Sequence, residues 1–429
     1  MNTIELSVND YKAIKKADIV LDGITVLSGV NGSGKSSLSK LLYFAFKYAN
    51  AYDDIPSEER SKLLSICHAI NSMRYDPFFR DAFNKKNVQS NLLFFSERSF
   101  DELRNYAIES LNRFKEVASH QLEERTNSKQ QSENRIKKII SDSLDRSDSN
   151  ASLHELLEEM IGRVDKLNAS LSKRNETRPY KDYKLKLDMS VNYQIKDVTI
   201  KEYGVPFVGK GVTTVPILHY IQNVVYVDSP MIVGSDGIYN EVEYWKDLHK
   251  LLLLPRQKSY SKTIFYELRD QIMHGEGMAE DDSFFDSFRY NRDDGQTFPL
   301  FDSATGIKSF SVLQMLLRNG VINKNTLLII DEPEAHLHPQ WIVEYARIVV
   351  QIHKAIGTKF FIASHSTDFV SAIRYIAAKQ NQLKSLNYYL GKEAKDKEYM
   401  FDYQHLGNDI EPIFASFNKS YEKLSEYGI

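Results

Sequence analysis

Cysteine is all but missing: the 429-residue chain carries one, Cys67, so no intramolecular disulfide can staple the fold. Glycine and proline are sparse, at 19 and 11, which excludes collagen-like, mucin-like and low-complexity classes. Long apolar runs are lacking too. Runs such as 251–254 and 327–330 fall far short of the roughly 20 residues a bilayer span needs. The opening MNTIELSVND has no basic stretch followed by an apolar one, so the expectation is a cytoplasmic protein without a membrane partner. The formal net charge of −3 neither draws nucleic acid to the chain as a whole nor excludes a local basic groove. What is present is an ordinary globular mixture, 42% hydrophobic and 26% charged, long enough for two or three domains.

Sheet, turn and helix follow one another quickly at the start. Asp22-Gly23 supplies a turn before an apolar strand at 24–27, and Leu38, Leu41, Leu42, Ala45 and Phe46 then recur at helical spacing from about Ser36. From about Asn50 to Tyr183 long polar helices are expected. One carries Leu103, Tyr106, Leu111, Phe114, Val117 and Leu122; a stronger one carries Leu153, Leu156, Leu157, Met160, Ile161, Val164, Leu167 and Leu171, with the polar SDSLDRSDSNAS as a solvated connection between them. Strand-like sequence returns in YKLKLDMSVNYQIKDVTIKEYGVPFVG and at 223–227, ending in Asp228-Ser229-Pro230. A helical stretch is expected from about Glu241 to Met273. The last third alternates strand and helix, which predicts a mostly parallel sheet covered by helices.

The sharpest local signal is Gly29-Val30-Asn31-Gly32-Ser33-Gly34-Lys35-Ser36, which fits G-x-x-x-x-G-K-[ST] between a strand and a helix. Glycines let such a loop turn its N–H groups inward around phosphates, and the helix N-terminus adds positive potential. Gly29, Asn31, Gly32, Ser33, Gly34, Lys35, Ser36 and Ser37 are the candidate nucleotide-binding residues, with Lys35 reaching the β- and γ-phosphates and Ser36 a magnesium ion. A second apolar strand, 327–330, delivers Asp331-Glu332-Pro333 to the same crevice. Asp331 is the candidate Mg2+ ligand, and Glu332 the group that accepts a proton from the attacking water. A third strand ends in Ser364-His365-Ser366, where His365 can donate to a γ-phosphate.

In this order these motifs resemble an ABC-type ATPase head. The wording Asp331-Glu332-Pro333-Glu334-Ala335-His336-Leu337-His338-Pro339 and the opening IELSVNDYKAIKKADIVLDGITVLSGVNGSGKSS resemble its soluble RecF, SMC and OLD branch. The resemblance implies a P-loop α/β fold, ATP and Mg2+, and hydrolysis between two protomers. Ser303-Ala304-Thr305-Gly306-Ile307-Lys308-Ser309 is then the candidate signature, with Ala304, Thr305 and Gly306 facing the partner's nucleotide, Gly306 allowing close approach, and Ala304 standing where the family has serine. His338 falls in the dimer-crossing loop, near the partner's phosphate loop. A zinc reading of His336 and His338 lacks the Cys and further His that such a site needs. For the magnesium-sensing glutamine, Asp228 and Ser229 occupy the expected place and Gln222 precedes the strand.

The implied division is 1–50 as the N-terminal part of lobe I, 51–183 a helical insertion, 184–235 core strands, 236–300 a helical lobe II, 301–395 the remaining motifs, and 396–429 a helical tail with Ile413, Phe414, Phe417, Tyr421 and Leu424. By resemblance to ATPase subunits of bacterial anti-phage systems such as PARIS, Septu and OLD-related modules, the expectation is a homodimer or higher homo-oligomer controlling a separate effector, a nuclease. The alternative is a DNA repair ATPase that clamps DNA, with Lys12, Lys15 and Lys16 as phosphate contacts.

Overall fold

A computed structural model describes residues 4–55, 58–79, 100–121, 127–144, 146, 151–228, 242–257, 261–280, 287–335, 337–416 and 426–427. Leu122, Ser229, Pro230, His336, Phe417, Tyr421 and Leu424 lie outside the described residues. In chain order, β1 (Ile4–Tyr11), β2 (Ile14–Leu21) and β3 (Ile24–Gly29) lead into α1 (Lys35–Asn50). Helices α2 (Glu58–Arg74), α3 (Phe100–Gln121), α4 (Asn127–Ser143), α5 (Leu153–Thr177) and α6 (Tyr180–Val191) follow. Strands β4 (Asp197–Glu202), β5 (Val205–Val208) and β6 (Asn223–Val227) precede α7 (Glu243–Leu252) and α8 (Lys262–Glu267), which runs on into a π-helical turn, Leu268–Met273. Next come β7 (Gly275–Glu280), β8 (Ser287–Arg292) and β9 (Thr297–Pro299). Then follow α9 (Thr305–Arg318), β10 (Thr326–Asp331), α10 (Pro339–Ile356), β11 (Lys359–Ala363), α11 (Thr367–Lys379), β12 (Leu386–Glu393) and β13 (Phe401–Gly407).

The chain divides into two compact units, Met1–Tyr52 with Tyr183–Ile429, and Asp53–Asp182. The first is built on a ten-stranded sheet in the order β5-β4-β1-β2-β13-β12-β3-β11-β10-β6. From β12 to β6 every neighbouring pair is parallel. The other wing is antiparallel except where β13 joins β2. Strands β3 and β10 are buried along their whole length, as the uninterrupted apolar runs of a doubly covered parallel sheet require. Helix α1 buries Leu38, Leu41, Leu42, Ala45 and Phe46, and α10 buries Ile342, Tyr345, Ile348, Val349 and Ile352. Each Leu, Ile, Val or Phe among them contributes about 1.5–3 kcal/mol when fully removed from water. Register decides what meets at the sheet edge. Ala363 lies opposite both Leu27 and Asp331, so β3, β11 and β10 end level and release their loops side by side.

The second unit is helical. Its core joins Leu63, Ile66 and Ile70 of α2, Leu111 and Phe114 of α3, Ile136 and Ile140 of α4, and Leu156, Met160 and Val164 of α5. Helix α5 opens with a reciprocal capping box between Ser152 and Glu155, which satisfies two backbone donors that a helix start leaves open.

Three sequence expectations differ from the structure. The strand-like YKLKLDMSV is helix α6: Tyr183, Leu187 and Val191 are buried while Leu185 and Met189 are exposed, so the apolar spacing that matters is four, not two. The span 236–300 is only partly helical, because β7, β8 and β9 form an antiparallel sheet of their own. Gln314 of α9 accepts from the Gly277 N–H and donates to Gly275 O, and Arg318 donates to Gly277 O. The glycine-rich, polar β7 is therefore held by pairing with β8 and by side chains from α9, which no local propensity announces. Within 396–429, β13 belongs to the main sheet between β2 and β12, and helix covers 411–416.

Candidate functional site

The loop between β3 and α1 turns through Gly29, Gly32 and Gly34, all with positive φ (156°, 83° and 91°). At Gly34 a Cβ would also meet Ile14 Cγ1 at 2.7 Å, so glycine is required on two counts. Asn31 and Gly32 are exposed, Ser33 is buried, and Ser36 and Ser37 begin α1, with the Ser37 N–H bonded to Gly34 O at 3.0 Å. Lys35 is 5% exposed and donates to Gly29 O at 2.9 Å and Val30 O at 3.2 Å. Burial lowers its pKa, opposed by the nearby charges of Glu332, Asp331 and Glu334. A cation inside a ring of acids is thus held by the loop's own carbonyls, at the mouth of a helix N-terminus where phosphate oxygens would sit.

Asp331 ends β10 and is 6% exposed. Its Oδ2 accepts from the Tyr226 hydroxyl at 2.8 Å, while its buried Oδ1 has no hydrogen-bond partner. Burial raises its pKa, against hydrogen bonds from Ser36 and Tyr226 that favour the carboxylate. A buried carboxylate oxygen left open beside a serine hydroxyl fits a hard cation that takes oxygen ligands. Ser36 and Asp331 are thereby suited to the ion their motifs imply.

Glu332 follows with φ 53°, a left-handed backbone uncommon outside glycine. Its N–H donates to Ala363 O at 2.8 Å, and its side chain is 43% exposed. The Nδ1 of His365, directly after β11, lies 3.5 Å from Glu332 Oε1 and 3.3 Å from Glu334 Oε1. The structure therefore brings Lys35, Ser36, Asp331, Glu332 and His365 to one sheet edge.

Three residues at this edge carry no sequence signal of their own. Glu334 is buried and accepts from Ser364 Oγ at 2.9 Å and from the His365 N–H at 2.8 Å. Tyr226 reaches Asp331 from β6, and the Tyr403 hydroxyl of β13 donates to Ser33 O at 3.2 Å. Only Glu334 was within reach of a motif, since it lies in the acidic wording after β10.

The remaining sequence candidates lie apart from these bonds. Ala304 is the N-cap of α9 without a side-chain cap bond, and Thr305 and Gly306 form its first turn. The space that glycine leaves at 306 is filled from within the same unit, because a Cβ there would stand 2.1 Å from Trp341 Cε3. Gly306→Ala is expected to destabilise the protein by about 1–3 kcal/mol, as overpacking does, seen as a lower thermal midpoint. An unchanged midpoint would show that Trp341 yields freely. His338 caps α10, its Nδ1 accepting from the Gln340 N–H at 3.4 Å. Asp228 Oδ1 accepts from Trp245 Nε1 at 2.9 Å, and Gln222 donates to His219 O. Among the described residues no group of His, Cys, Asp and Glu is arranged to hold a metal by itself.

No helix among the described residues is long and apolar enough to cross a membrane. Comparison with solved structures finds the SMC head domain of Pyrococcus furiosus, with an extended coiled coil and bound to the C-terminal domain of ScpA. It is 12% identical with a TM-score of 0.36, covering 100% of both chains. The SMC head domain of Thermotoga maritima is 11% identical with a TM-score of 0.35, covering 95% of this chain and 99% of that one. Curated proteins give no match. The family described as "AAA domain, putative AbiEii toxin, Type IV TA system" matches residues 24–371, from β3 through the phosphate loop, the acid-ended β10 and His365. With the α/β sheet and the phosphate loop in place, the chain belongs to this AAA_21 family and is a P-loop ATPase of the AAA type.

Proposed function

We propose that the chain binds ATP at the edge shared by β3, β11 and β10, hydrolyses it, and uses the cycle to open and close a homodimer that controls a separate effector, a nuclease, in anti-phage defence. The observation that carries the chemistry is the buried Asp331, its Oδ1 open, beside Ser36 and within the field of Lys35. Loop N–H groups and Lys35 hold the phosphate oxygens, while Gly34 keeps the loop close against Ile14. Asp331 and Ser36 hold magnesium, which when bound offsets charge on the phosphates. Glu332, half exposed at the crevice, accepts a proton from the attacking water at its carboxylate. His365 sits beside it and donates to the γ-phosphate, reporting whether that group is present.

Ala304, Thr305, Gly306 and His338 supply the second face of each site from the other protomer. The family's description names a putative toxin of a Type IV TA system, which supports a role in a toxic response. Each lysine offered to DNA in the alternative reading has a partner within this chain. Lys12 Nζ donates to Val191 O at 2.8 Å, Lys15 pairs with Asp396, and Lys16 lies 3.4 Å from Asp18. The test is molar mass by light scattering together with phosphate release. Magnesium and ATP are expected to double the mass and release phosphate; turnover by a protein that stays monomeric would dismiss the composite site.

A further inference from the structure

The acidic wording after β10 contains one carboxylate that the proposed reaction does not use. We propose that Glu334 is a positioning residue for hydrolysis, its carboxylate tying the turn after β10 to the chain after β11 so that the His365 ring stands against Glu332. This rests on the ATP-hydrolysis reading above.

The backbone directs Glu334 inward. Glu332 takes left-handed φ, Pro333 follows with its φ restricted by the ring, and the Ala335 N–H closes the turn on Glu332 O at 2.9 Å. Two acids two residues apart thereby reach different surroundings: the Glu332 side chain is 43% exposed, that of Glu334 only 6%. Glu334 Oε1 collects the Ser364 hydroxyl and the His365 N–H. The arrangement continues outward, since the Ser366 N–H donates to Ser364 Oγ at 3.1 Å and Ser366 Oγ caps α11 by accepting from the Phe369 N–H at 3.2 Å. One carboxylate oxygen thus anchors the start of α11 as well as the histidine.

The cost of this arrangement argues for a role in the reaction. Burying a carboxylate is unfavourable unless hydrogen bonds and charge compensate it. Oε1 has its donors, and Lys35 lies within the field of the group, yet Oε2 is buried without a partner. Nδ1 of His365 is also buried without a hydrogen bond, 3.3 Å from Glu334 and 3.5 Å from Glu332. A small rotation of the ring engages either acid. Glu334 fixes the backbone from which that rotation starts, so the alignment of His365 with Glu332 depends on it.

The experiment compares kcat and KM for ATP in Glu334→Ala, Glu334→Gln and Ser364→Ala with wild type, each checked by thermal melting. Glu334→Ala is expected to lower kcat by roughly tenfold or more with KM within about twofold, the pattern of lost alignment rather than lost binding. Glu334→Gln keeps an acceptor oxygen for both donors and is expected to recover most of kcat. Wild-type kcat in Glu334→Ala, a loss confined to KM, or a folded Gln variant no better than Ala would overturn the proposal. Should Glu334→Ala not fold, Ser364→Ala decides: it removes one donor and is expected to cost roughly threefold in kcat, and no loss would overturn the proposal. A wild-type protein that neither binds nor hydrolyses ATP would sink the underlying reading as well, whereas active wild type with indifferent variants sinks this proposal alone.

Discussion

Replacing Lys35 with alanine is expected to weaken ATP binding by roughly ten- to a hundredfold, since a charge-assisted contact to phosphate is worth about 1.5–3 kcal/mol and each 1.4 kcal/mol is a factor of ten. The surroundings push the effect toward the upper end. Lys35 faces Asp331, Glu332 and Glu334, which all act on it electrostatically. Without it, the phosphates of ATP would meet three acids and no cation from the loop. The substitution also removes the bonds to Gly29 O and Val30 O that hold the loop, so circular dichroism and a melting curve must accompany the titration. Calorimetric titration with magnesium and ATP checks the expectation. Wild-type affinity in a folded variant would mean that the loop does not hold phosphate.

Glu332→Gln is expected to leave ATP binding within a few-fold and to lower kcat by about 10²–10⁴, the range for removing a positioned proton acceptor. The change is nearly isosteric, which matters here because residue 332 has φ 53° and its N–H bonds to Ala363 O. A glutamine can keep that backbone and cannot take the proton. If two protomers enclose the nucleotide, the variant should also accumulate as a dimer in ATP, because closure would no longer be released by hydrolysis. Phosphate release and light scattering on one sample separate the two claims. Undiminished turnover would remove Glu332 from the reaction; slow turnover by a lasting monomer would keep the chemistry and dismiss the gate. The trapped dimer is also the bait for capturing an effector.

How much was legible before the fold was known varies by element in an instructive way. Helix α1 and the loop before it could be read because all their determinants lie within about twenty residues: the glycines, Lys35, and the stripe from Leu38 to Phe46. Strands β10 and β11 could be read because strands buried on both faces are uninterrupted apolar runs. Helix α6 was misread, since alternating lysines in YKLKL imitate a strand while the buried face, Tyr183, Leu187 and Val191, is spaced by four. Strand β7 has no period-two apolar pattern to find; GEGMAE is a strand because β8 pairs with it and Gln314 and Arg318 bond its glycines.

The candidate site divides along the same line. Sequence alone named the residues proposed for phosphate and acid chemistry, because a glycine loop before a helix and an acid at a strand end act through their own backbone. Only the tertiary structure decided that β3, β11 and β10 lie side by side and end level, that Tyr226 holds Asp331 across 105 positions, that Tyr403 braces Ser33 across 370, and that Trp341 occupies the space beside Gly306. The physical reason is range. Backbone conformation is set by neighbours a few residues away, whereas the order of strands and the partner of a buried oxygen depend on packing between segments that chain spacing does not relate.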